Sequence, residues 1–197
     1  MIHSKVYSKI IGILFLAAFP LYGIGNSILV ESASSAPHSS EAKLGLFLVL
    51  ANSVDVFIIG YLIQRIVASI DKFVANIYVS VRILEASLLA VYSFLVYDGV
   101  DAQSSIYILY RIAMIGLAMG SFPLLKTLMQ QKQIRLWLGW FGIIGYLCVF
   151  VGMVMDSIGY TDLGLLLMIP GALFEITFGI WFIARGLPLE SNYEIIL

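Results

Sequence analysis

Five ionisable side chains lie inside apolar stretches of helical length: Asp55, Arg82, Glu85, Arg111 and Glu175. A charge at mid-membrane costs roughly 2.5–3.5 kcal/mol on insertion scales. Five such charges facing lipid would cost on the order of 10 kcal/mol, so they are expected to face a bundle interior, pair with one another or reach water. A set of this kind can hold a polar or amphipathic small molecule or relay a proton, with its carboxylates as proton donors and acceptors. Its ion pairs can equally fix helix order and register and do nothing more.

Helical spacing puts these residues on inward stripes. Tyr78, Arg82, Glu85, Leu89 and Tyr92 recur at steps of four and three, and Arg82 and Glu85 can pair within that stripe. Asn52 shares a face with Asp55; Tyr107, Arg111, Met114 and Ala118 align; Gly164, Gly171, Glu175 and Gly179 align beside Pro170, which can loosen its helix. The first apolar stretch adds Pro20, Tyr22 and Asn26, while the fifth carries no charge at depth and reads as a packing helix. Three acids stand against two arginines, and arginine stays charged. Arg82 and Arg111 are expected to neutralise two carboxylates; the third must be protonated, share a proton or bind a cation. Asp55, with no arginine near it in sequence, is the expected one. The candidate ligand or proton site is therefore Asp55, Arg82, Glu85, Arg111 and Glu175, lined by Asn52, Tyr78, Tyr92 and Tyr107.

The elements that must carry these residues follow from composition. Of 197 residues, 61% are apolar and 12% charged, against roughly 45–50% and 25% in soluble domains. Mean hydropathy is +1.00 and formal net charge −1, which excludes a soluble domain, a disordered chain and a basic nucleic-acid binder. A helix needs about 20 apolar residues to cross the bilayer core. Six spans result, at about 9–30, 44–66, 74–97, 103–125, 136–156 and 163–185, in one transmembrane domain over 1–197. The fold class is all-α, a polytopic six-helix bundle. The Ser-rich 31–43 reads as a loop, and 188–197 as a tail.

Lysine and arginine set the direction. With both termini cytoplasmic, the inner segments hold Lys5, Lys9, Arg65, Lys72, Lys126, Lys132, Arg135 and Arg185, whereas the outer loops hold only Lys43. Glu31, Glu41, Asp98, Asp101, Asp156 and Asp162 fall outside. The first stretch exceeds the roughly 7–15 apolar residues of a signal peptide, so a retained helix is expected. Trp137, Trp140, Trp181, Tyr97 and Tyr160 lie at headgroup level. The spacings Gly116-x-x-x-Gly120 and Gly142, Gly145, Gly152 suit close contact within one bundle better than a dimer face, with monomer and homodimer both left open. The lone Cys148 excludes an internal disulfide, and His3 and His38 lie outside the spans, so neither a metal nor another cofactor is expected.

Three segments, KIIGILFLAAFPLYGIGNSIL, VRILEASLLAVYSF and LGLLLMIPGALFEITFGIWFIARG, together resemble a bacterial family of six-helix membrane proteins described only as a domain of unknown function. The matching positions are Arg82, Glu85 and Ala86 of an RxxEA motif, then Pro170, Phe174, Glu175, Gly179 and Trp181. Val81 departs from the family's aromatic before the arginine. The resemblance implies a six-helix bundle in which Arg82, Glu85 and Glu175 belong together; it implies no activity. Glu85 and Glu175 also sit mid-span in the last helix of each three-helix half, as an inverted repeat would place them, although chance similarity between apolar helices accounts for the match better.

Three classes of function follow. The charged midplane suits binding or moving a small molecule or proton in a bacterial inner membrane, with membrane lipids around it and no nucleic-acid partner. An accessory subunit would use the charges only as architecture. A lipid-acting intramembrane enzyme needs a nucleophile with an activating partner, and Ser80, Ser87 and Cys148 have none in sequence.

Overall fold

The computed structural model describes residues 2–103 and 105–187, with side chains from Val6 onward. Expectations for the side chains of His3 and Lys5 and for the tail at 188–197 lie outside the described residues. Six helices run in order: α1 Ile2–Ser35, α2 Ser40–Val67, α3 Lys72–Tyr97, α4 Tyr107–Gln130, α5 Leu136–Ser157 and α6 Thr161–Ala184. Each is long and apolar enough to cross a membrane. In lipid every backbone group must be satisfied internally, which favours this all-helical solution.

Each helix packs on its chain neighbours, and α6 closes the ring on α1. The seams are made by small residues, as expected of the α5 glycines. A Cβ on Gly145 would meet the Pro170 carbonyl at 3.0 Å, and one on Gly152 the Gly164 carbonyl at 2.8 Å, so α5 and α6 lie backbone to backbone. A Cβ on Gly12 would collide with the Gly179 carbonyl across the closing α1–α6 seam. Gly120 of the fourth span faces Val81 of α3, inside the same bundle. The main core cluster runs from Ile11 and Phe15 through Ile59, Leu117 and Leu138 to Phe174, Phe178 and Phe182. Outward faces carry exposed apolar side chains such as Phe47, Phe57, Val91, Ile144 and Leu173, a surface suited to lipid.

Two local expectations are corrected. The segment 31–43 is not a loop: α1 continues to Ser35, and only 36–39 turn. Ser34 and Ser35 donate their hydroxyls back to the Glu31 carbonyl, so polar composition does not interrupt the helix. Pro37 lies in the turn, and Ser39 caps α2 by accepting from the Ala42 amide at 3.1 Å. The fourth helix begins at Tyr107 rather than near 103 and runs on to Gln130. Just past it, Lys132 adopts φ 54°, a left-handed conformation that disfavours side chains by roughly 1–2 kcal/mol.

Candidate functional site

A cavity of about 230 Å³ lies inside the ring, and every helix contributes to its wall. Ala18, Phe19, Tyr22 and Gly23 of α1 recur at one-turn spacing, as do Arg82, Glu85 and Leu89 of α3 and Met168, Gly171, Ala172 and Glu175 of α6. Asn52, Tyr110 and Tyr146 complete the polar lining; Val56, Met114, Leu117 and Val149 make much of the rest apolar.

Arg82 is the centre of charge. Its Nη1 lies 2.9 Å from Glu85 Oε2, and both side chains are almost wholly buried. The pair is an electrostatic contact without hydrogen-bond geometry: among the described residues Arg82 Nε and Glu85 Oε2 have no hydrogen-bond partner. The guanidinium carbon sits 5.9 Å from the rings of both Phe15 and Tyr78. Gly60 of α2 makes room for it, because a Cβ there would lie 2.5 Å from the Arg82 Cβ. Glu175 is half-buried and accepts a 2.9 Å hydrogen bond from the Tyr146 hydroxyl. Asp55 is buried on α2, and its Oδ2, like Oδ1 of its neighbour Asn52, has no hydrogen-bond partner among the described residues. Arg82 is within coulombic range of Asp55, Glu85 and Glu175 alike.

A second polar layer lies toward the end of the bundle where α4 begins and α5 ends. Arg111 Nε donates to Asp156 Oδ2 at 2.6 Å, and Nη2 reaches the Asp156 carbonyl at 3.4 Å. The guanidinium also lies 4.9 Å from the Tyr107 ring. From there a chain of rings leads inward: Tyr107 stacks on Tyr110 at 5.3 Å, and Tyr110 on Tyr22 at 5.8 Å. Tyr92 meets Tyr107 edge-on at 6.4 Å.

The expected site is therefore split. Arg82, Glu85, Glu175 and Asn52 line the cavity; Asp55 and Tyr78 back it without lining it; Arg111, Tyr92 and Tyr107 belong to the outer layer. Asp156, expected at the outer end of the fifth span, is buried in the last turn of α5, where its pairing with Arg111 was not anticipated. It takes Arg111 out of the central charge balance, which becomes three carboxylates against one guanidinium. The fifth helix is not a bare packing helix, since it supplies Tyr146 and Asp156. Tyr146, Val149, Met153 and Asp156 recur at steps of three and four and are all buried, a stripe visible in the sequence. Tyr110 was also missed; it lies one residue off the expected Tyr107–Arg111 stripe. Among the described residues no group of three or more His, Cys, Asp or Glu side chains stands where it can hold a metal ion.

The carboxylate-rich, largely apolar chamber with the RxxEA arginine and glutamate on one wall and the α6 glutamate on another belongs to a multi-pass integral membrane protein. Residues 10–186 match the family model described as a domain of unknown function, DUF4386, and the chain belongs to that family. No curated protein and no solved structure matches it.

Proposed function

We propose that the chain binds, or moves, a small molecule or proton at the midplane chamber, in a bacterial inner membrane with both termini cytoplasmic. The observation that carries this reading is Glu175, a half-buried carboxylate on the chamber wall whose hydrogen-bond partner, Tyr146, is neutral and which must share Arg82 with Glu85 and Asp55. Arg82 is already engaged with Glu85. The chamber lining thus carries one acid in excess, and Asp55 behind it adds another. A buried excess of negative charge is tolerated when a proton or a cation joins it. The mixture of apolar wall and few polar groups suits a small amphipathic cation.

The test is native mass spectrometry of the gently solubilised protein, with identification of whatever is released. A defined co-purifying cation, retained by the wild type and lost in Glu175→Gln with stability unchanged, is the expected outcome. If wild type and Glu175→Gln are both empty and equally stable, proton binding is read from pH-jump uptake of protons, reduced in the variant. An empty protein that loses its fold in Glu175→Gln would overturn the reading in favour of an accessory protein with architectural charges. The Arg111–Asp156 pair, mutually neutralised, is the observation that favours that second reading.

A further inference from the structure

At the end of the bundle where α4 ends and α5 begins, a separate cleft of about 250 Å³ lies between the α4–α5 turn and the end of α6. It is lined by Lys132, Gln133, Ile134, Arg135, Trp181, Arg185 and Gly186. Three of these seven residues are cations and none is an acid. Among the described residues none of the three cations makes an ion pair. Arg135 and Arg185 both lie 5.8 Å from the Trp181 ring, so the indole holds two like charges on one aromatic group. Among the described residues the indole Nε1–H and the Gln133 Oε1 are buried without a hydrogen-bond partner. Three cations brought together around a buried donor, with no ion-pair partner for any of them among the described residues, favour an anion.

The local backbone adds a second argument. Lys132 occupies a left-handed position, at φ 54°, where glycine or asparagine would be unstrained. Gly186, at φ 67°, turns the chain after α6 so that the Leu187 amide donates to Ser8 Oγ of α1 at 3.4 Å. The turn fixes the chain directly after Arg185. Trp137, 51% exposed, stands edge-on to Trp181 at 6.3 Å, which puts the cleft beside the tryptophans expected at headgroup level.

We propose that this cleft binds a phosphate-bearing anion, with the headgroup of an anionic phospholipid from the surrounding leaflet as its occupant. Lys132, Arg135 and Arg185 hold the phosphate oxygens, and the Trp181 indole donates to one of them. Basic pockets between helices at the membrane surface recognise such headgroups.

The experiment is native mass spectrometry of the whole chain from micelles holding equal amounts of phosphatidylglycerol and phosphatidylcholine. The wild type is expected to retain one phosphatidylglycerol in preference to phosphatidylcholine by about tenfold or more. Lys132→Gly relieves the left-handed strain, so its melting temperature should hold or rise while the preference falls; Arg135→Gln with Arg185→Gln should remove the preference. Excess inorganic phosphate separates two sources of the same chemistry: lipid retained against phosphate identifies a headgroup, and lipid displaced by it identifies a soluble phosphate compound. Equal retention of both lipids by the wild type overturns the proposal without recourse to any variant. An unchanged preference in both variants overturns it as well.

Discussion

The chamber and the outer layer use the same residue types to opposite effect. In the outer layer one arginine meets one aspartate through two contacts, at 2.6 and 3.4 Å, with a tyrosine face beside the guanidinium. Arg111 lies near the N-terminal end of α4 and Asp156 near the C-terminal end of α5. Each charge opposes the helix dipole at its own position, so each needs the other. In the chamber one arginine is shared by three carboxylates, and several polar atoms are left unanswered. A closed pair needs nothing further; an open set around a cavity is completed by something that arrives. Buried charge in a membrane protein is thus informative through its balance, more than through its presence.

Variants can break or sharpen that contrast. The largest effect is expected from Arg82→Met, which removes the cation shared by three acids and should cost about 3–5 kcal/mol in unfolding experiments in mixed micelles. Adding Glu85→Leu to Arg82→Met should recover much of that loss, because a matched apolar pair leaves no orphan charge. Asp156→Asn comes next, at about 2–3 kcal/mol: Arg111 loses its counter-ion but its side chain, 25% exposed, can turn toward water. A cost equal to that of Arg82→Met would erase the distinction between the layers. Gly60→Ala should cost about 1–3 kcal/mol by crowding the Arg82 stem, and should weaken ligand retention in parallel. Smallest is Tyr146→Phe, at about 1 kcal/mol, which removes the hydrogen bond to Glu175 and leaves the fold intact. Its ligand retention, compared with that of Glu175→Gln, tells whether the hydroxyl positions the carboxylate.

The contrast also marks how far sequence reasoning reaches. The six helices were legible because lipid permits so few alternatives, and the Arg82–Glu85 pair because both partners lie on one helix at a spacing that brings them together. Arg111 and Asp156 are 45 positions apart on different helices. Their meeting depends on which faces α4 and α5 turn to each other, which local spacing does not specify. Asp156 was placed at the end of its span but not given a partner, because an acid at the edge of an apolar run reads as an interfacial charge. Tyr146 was passed over because a tyrosine amid apolar residues reads as filler until a carboxylate is found at its hydroxyl. The serines at 34 and 35 misled in the other direction, since they satisfy themselves on the preceding helical turn instead of ending it.

The contact of α6 with α1 sets an order of events during biosynthesis. Five helices can enter the bilayer and pack on their predecessors before the sixth emerges, yet until then the chamber has an open side. The sixth helix brings Glu175, a carboxylate costly to expose to lipid, together with Gly179, which seats against Gly12 of the first. Maturation and exclusion of lipid from the interior therefore coincide in a single late step. A chain in which that seam stays open displays an acid in its transmembrane surface, where lipid cannot solvate it.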